Sequence, residues 1–200
     1  MSAARLLSPA SLKAIPKAEL HCHLLGTVRH NTFTELARRA NSSLSDADIE
    51  SFYTRGEKPV GVLRVLRALD ADLLKSPDDL HRISYEYLQD AAVHQVRYAE
   101  FFWNLTGTVV TSGIPYAKAQ AAIVRAIADA QTDCGIIARL VPAIDREATP
   151  EQALEMVQWL IAITCAHWRP SVGRLITRSA RCLNSACAFI PIPTTPPYTT

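Results

Sequence analysis

No stretch of this sequence approaches the ~20 consecutive apolar residues of a membrane-spanning helix. Its first fifteen residues include Arg5 and Lys13 and carry no apolar core of signal-peptide length. A cytoplasmic protein is the expectation. Runs of like charge are also missing: 21 basic and 19 acidic residues are interspersed and leave a formal net charge of +2. No electrostatic footprint for nucleic acid or an anionic membrane surface follows from that distribution. The five cysteines, at 22, 134, 165, 182 and 187, are odd in number and scattered. That spacing argues against a disulfide framework and against paired cysteine zinc ligands, Cys182 and Cys187 included.

One absence is local. After Glu155 no Asp or Glu occurs as far as Thr200, whereas Arg169, Arg174, Arg178 and Arg181 do, and the end is rich in Pro and Thr. Ordinary composition would place roughly five acids in such a span. The chain is therefore divided at about residue 163. Residues 1–163 carry regular hydrophobic patterning, and 164–200 read as an irregular tail, either flexible or translated out of the native frame.

What is present is a chain of 200 residues, 48% hydrophobic, long enough to bury one sizeable core. A strand is predicted from Ala18 to Leu24, with Gly26 turning the chain away. A helix should follow, capped by Asn31 or Thr32, with Phe33, Leu36 and Ala37 on its apolar face. Ser43 to Phe52 suggests a short helix, and Val62, Val65, Leu66 and Leu69 form a stripe within 60–74. Pro77, Asp78 and Asp79 open another helix running to about His94. Val96 to Phe102 is the second predicted strand. From Ile114-Pro115 a long helix runs to Gly135, and Ile136 to Ile144 is a third strand, apolar enough to be buried on both faces. Thr149-Pro150-Glu151 starts a last helix with Ala153, Leu154, Val157 and Leu160 inward. Alternating strands and helices imply an α/β fold with a parallel sheet. Three such units correspond to the beginning of a TIM-type (β/α) barrel, which typically needs about 250 residues and places its chemistry at the carboxyl ends of its strands.

At the first of those ends lie His21 and His23, which as i and i+2 on a strand should share a face. Two imidazoles make half of a tetrahedral zinc site, since a catalytic zinc takes about three protein ligands. Cys22, between them, should point the other way into the core. Glu19, two residues before His21, should share its face, as an acceptor for a ligand imidazole or in a salt bridge. Glu100 could approach the site, although an ion pair with Arg97 or Arg146 is its more common fate. In Asp145-Arg146-Glu147 the best pocket-lining candidate is Arg146, and the alternative is a solvated turn. Phe101, Phe102 and Trp103 read as packing residues.

The segment Ile15-Pro16-Lys17-Ala18-Glu19-Leu20-His21-Cys22-His23-Leu24-Leu25-Gly26 resembles the opening motif of the adenosine deaminase family, P-K-x-E-L-H-x-H-L-x-G on the first barrel strand. Val96-Arg97-Tyr98-Ala99-Glu100-Phe101-Phe102 resembles that family's second strand, and Ala143-Ile144-Asp145-Arg146-Glu147-Ala148-Thr149-Pro150 its third strand and the following turn. The resemblance covers about residues 12–162. It implies a zinc-dependent hydrolase that replaces the amino group of a purine or purine nucleoside and releases ammonia. By position, His21 and His23 match the two zinc ligands of the first strand, and His23, Leu25, Gly26 and Arg146 fall where substrate is approached. The family's later elements, a third zinc histidine, an H-A-G-E glutamate as proton shuttle, another histidine and an aspartate ligand, have no counterpart here. His167 is followed by Trp-Arg-Pro, and no catalytic acid or base is identifiable. Leu25 stands where adenosine-specific members commonly carry an Asp that accepts from a ribose hydroxyl, and Leu cannot accept a hydrogen bond. Two readings stand: a zinc-dependent deaminase represented by part of its barrel, or a non-catalytic truncated or frame-shifted piece that binds metal weakly.

Overall fold

The computed structural model describes residues 8–54, 62–145 and 148–167. Three parallel strands, β1 (Lys17–His23), β2 (Val96–Asn104) and β3 (Ile137–Ala143), form a sheet in the order β1-β2-β3. A short helix, α1 (Pro9–Ala14), precedes β1. Between β1 and β2 come a 3-10 turn (Leu24–Thr27), α2 (His30–Arg39), α3 (Asp46–Tyr53), α4 (Val62–Ala68), a π-helical turn (Leu69–Leu73) and α5 (Pro77–Val93). A second π-helical turn (Gly107–Thr111) and α6 (Tyr116–Cys134) link β2 to β3, and α7 (Pro150–His167) follows. This is the expected strand-helix alternation. The last helix continues past the boundary placed at residue 163, while the rest of the tail, 168–200, lies outside the described residues.

Local sequence explains most of the helix ends. Ser76 and Asp79 form a reciprocal capping box with Pro77 in the first turn of α5, and Ser45 with Asp48 do the same for α3. Gly135 ends α6 at φ 68°, a left-handed conformation that favours glycine. The start of α2 departs from expectation. Arg29 precedes the helix without a side-chain cap, and the Thr32 hydroxyl donates 2.6 Å to Glu86 of α5. A buried hydroxyl gains more from a charged acceptor than from capping a solvent-facing helix end. Arg29 itself reaches Asp90 and Gln89, and Arg39 pairs with the buried Asp79 at 2.6 Å, so α2 is tied to both ends of α5. Burial alone would raise the Asp79 carboxyl, but Arg39 and the Lys75 and Ser76 amides hold it below the usual carboxylate range.

The core lies between the sheet and α5 and α6. Ala99, Phe101 and Trp103 of β2 are fully buried on that side, together with Ala138 and Leu140 of β3, Ile83 and Leu88 of α5, and Ile123 and Ile127 of α6. On the opposite face β2 presents Tyr98, Glu100, Phe102 and Asn104, all half-buried. β3 also alternates, with Ile137 47% exposed, which corrects the expectation of a strand buried on both faces. A uniformly apolar run hides which residues meet a helix. In α7 the buried anchor is Met156, with Trp159 and the expected Leu160 beside it; Ala153 and Val157 are half-buried, and of the expected face only Leu154 is exposed, at 60%. Tyr116 draws in the Met156 side by stacking on Trp159, ring centres 5.9 Å apart.

Candidate functional site

The geometry of the site begins with an extra residue in β1. Glu19 pairs with Ala99 and Cys22 with Phe101, so three residue steps on β1 span two on β2. This bulge breaks the two-residue alternation. Glu19 and Cys22 consequently share the helix-facing side, whereas His21 and His23 point to the other. Glu19 therefore does not share a face with His21. It accepts a 2.7 Å hydrogen bond from the Tyr87 hydroxyl of α5. Cys22 packs beside them as expected, its thiol pushed up first by burial and then by the Glu19 charge.

His21 and His23 are exposed at the carboxyl end of β1, their ring centres 5.4 Å apart. Two imidazoles bound to one tetrahedral zinc through nitrogens at ~2.0–2.1 Å have ring centres about 5 Å apart. The observed separation fits. Phe102, directly across from His23 on β2, stacks on His23 with ring centres 5.5 Å apart and meets His21 at a tilt with ring centres 4.7 Å apart. It thus belongs to the site face, while Phe101 and Trp103 are the packing residues expected. Among the described residues no group of three or more His, Cys, Asp or Glu is placed to hold a metal ion.

Along the same edge, Asn104 ends β2 and donates to Asp145, just beyond β3, at 3.3 Å, and its Oδ1 accepts from the Thr106 amide. Glu100 accepts 2.6 Å from Tyr98, and Arg97 turns to Gln95, so the Glu100–Arg97 pair does not form. Arg146 and Glu147 lie outside the described residues. Leu25 is 5% exposed and packs in the core. Gly26 is exposed, and a Cβ built there would meet nothing within 4 Å, so the turn after β1 is open.

Sequence reading missed Asp70. It sits in the first π-helical turn at 8% exposure and receives the Thr108 hydroxyl at 2.9 Å, and Thr108 in turn accepts from the Trp103 indole at 3.0 Å. Ser112 donates to the Asp70 carbonyl. Burial raises the Asp70 carboxyl and Asp145 raises it further, against the Thr108 hydrogen bond, leaving it pushed up to about 7. The available signal was a carboxylate four residues after Leu66, on the apolar stripe itself. Gly107 is required by this packing, because a Cβ there would lie 2.1 Å from Asp70 Oδ2. Gly107→Ala is expected to cost about 1–3 kcal/mol in urea denaturation, as overpacking of a closed site does.

A second concavity, of about 450 Å³, is lined by Lys17, Glu19, Tyr87, Asp90 and His94 near the amino ends of β1 and β2. Its Lys17 ammonium is already taken by the carbonyls of Lys13, Ile15 and His94.

A parallel strand-helix sheet with its polar side chains at the carboxyl edge is the architecture of (β/α)-barrel enzymes. The chain belongs to the adenosine deaminase family, whose sequence model matches residues 16–167. It is 31% identical over 153 residues to an aminodeoxyfutalosine deaminase of Acidothermus cellulolyticus, covering 76% of this chain and 42% of that protein. It is 30% identical over 145 residues to an adenine deaminase of Pseudomonas entomophila, covering 71% and 45%. A zinc-bound amidohydrolase structure from Burkhoderia ambifaria superposes with a TM-score of 0.75 at 60% identity, over 79% of this chain and 44% of that one. The chain thus spans a little under half the length of the curated relatives it matches. No described helix is long and apolar enough to cross a membrane.

Proposed function

We propose that the chain supplies the first three strand-helix units of a zinc-dependent deaminase acting on an amino-substituted purine, with His21 and His23 as two of the metal's ligands. The observation that supports this reading is the pair of exposed imidazoles on one face at the carboxyl end of the first strand, with ring centres 5.4 Å apart, a separation compatible with one tetrahedral zinc. Zinc bound there would supply Lewis acidity and a nucleophile at neutral pH. The β1 bulge sends both histidines to the substrate side and keeps Glu19 and Cys22 off it. Asn104 and Asp145, hydrogen-bonded to each other at the adjoining strand ends, offer an amide and a carboxylate to the polar edge of a heterocycle. Leu25 provides no acceptor for a sugar hydroxyl and is buried, which favours recognition of the base over recognition of a ribose. The family's remaining ligands and its proton-shuttle glutamate have no counterpart in these 200 residues.

Zinc uptake by the purified chain, followed by competition with a chromophoric chelator, tests this reading. His21→Ala and His23→Ala should each weaken binding by more than about 100-fold, beyond the 10–100-fold typical of groups that only touch a ligand. Ammonia release from adenine, adenosine and AMP is followed in the same preparations, and with no shuttle glutamate in the sequence zinc uptake is expected without appreciable turnover. Zinc uptake unchanged in the double variant would overturn the assignment.

A further inference from the structure

The rings of metal-binding histidines are normally oriented by a hydrogen bond from the nitrogen that does not bind metal. Among the described residues neither His21 nor His23 makes such a bond. What touches both rings is Phe102. Its ring is stacked on His23 at an interplanar angle of 28° and tilted against His21 at 44°, while the two imidazoles meet each other edge-on at 68°. Phe102 is fixed in turn by the middle strand of the sheet, paired to His23 on one side and Val141 on the other. The β1 bulge sets this register and brings both histidines over one aromatic ring. We infer that Phe102 is the positioning residue of the site, holding the two imidazoles by ring contact, stacked on His23 and tilted against His21, in a mutual orientation that a tetrahedral zinc accepts. The inference rests on the zinc reading of His21 and His23.

Its physical basis is rotamer freedom. Two exposed histidines on a strand can each rotate about χ1 and χ2, and binding a metal must freeze them. An aromatic ring in contact with each imidazole removes part of that freedom before metal arrives, which is preorganisation by contact rather than by hydrogen bond. Leucine at 102 would keep the apolar bulk but not the face, whereas tyrosine would keep both.

The test uses the whole chain and its Phe102→Leu, Phe102→Met and Phe102→Tyr variants, each checked for an unchanged thermal unfolding midpoint, with methionine as the substitute should leucine disturb the fold. Zn²⁺ affinity is measured by chelator competition, and Co²⁺ is loaded in parallel to read the ligand-field bands near the visible region. Leucine or methionine should lower zinc affinity about 10-fold or more and alter the cobalt bands, and tyrosine should restore both. In the metal-free chain the ring protons of both histidines should show upfield ring-current shifts in NMR that disappear with leucine. Equal zinc affinity and an identical cobalt spectrum in Phe102→Leu would overturn the role of Phe102 while leaving the zinc site standing. A wild-type chain that shows the ring-current shifts yet takes up no zinc would overturn the zinc reading, and this role with it.

Discussion

Asp70→Asn is expected to stabilise the protein by up to about 4 kcal/mol at pH 8 and by less than about 1 kcal/mol at pH 4. The Asp70 carboxyl, ordinarily near 3.8, is pushed up to about 7 by burial and by the charge of Asp145. At about 1.4 kcal/mol per pH unit that difference amounts to ~4 kcal/mol. The sign follows from proton binding. Below about pH 4 the carboxyl is neutral in both folded and unfolded chains and contributes no pH dependence. Between about pH 4 and 7 the unfolded chain releases its proton while the folded chain retains it, so stability falls as pH rises. Above about 7 the full cost of a buried charge is present. Asparagine keeps an acceptor for the Thr108 hydroxyl and carries no charge, so the variant should lose this slope. Urea denaturation of both proteins at pH 4, 6 and 8 measures the difference, and parallel stability curves would contradict the assignment.

Its place on the apolar stripe marked Asp70 as buried, but what it is buried against was beyond sequence reading for the same reason that the capping boxes were within it. Ser76 with Asp79 and Ser45 with Asp48 act over three residues, and Gly135 acts on its own backbone, so their roles are fixed by neighbours in the chain. Asp70 acquires its environment from Thr108 and Gly107, which a whole helix and strand separate from it. The site divides the same way. The His-x-His pair was legible as a shared-face pair because both residues lie on one strand, and the flanking Pro16-Lys17 and Leu24-x-Gly26 gave the family. The face of Glu19 was not legible, because the bulge exists only in register against β2. Phe102 could be assigned to the site rather than to packing only once that register was known. Leu154 and Met156 make the same point for α7: several apolar faces were open to the helix, and Tyr116, Trp159 and Thr106 select the one used.

Trp103→Ala is expected to cost about 3–5 kcal/mol, a large part of the 5–15 kcal/mol that holds a typical domain together. Trp103 is fully buried, stacks on Tyr116 with ring centres 5.8 Å apart and planes 5° from parallel, and donates its indole hydrogen to Thr108. Truncation would open a cavity beneath α6 and remove the donor that steadies the Thr108 hydroxyl on Asp70. Trp103→Phe keeps a ring for Tyr116 and should cost only about 1–2 kcal/mol, chiefly for the lost hydrogen bond. Urea denaturation of both variants measures this, and a Trp103→Ala loss below about 1 kcal/mol would refute the role. The neighbouring position should behave oppositely. Phe102 lies one residue earlier on the same strand with its side chain on the other face, so Phe102→Leu should change stability by less than about 1.5 kcal/mol while weakening zinc binding about 10-fold. Trp103→Phe should leave zinc affinity unaltered. Adjacent residues of β2 would then divide the work of the strand, one holding the sheet to its helices and the other holding the histidines to each other.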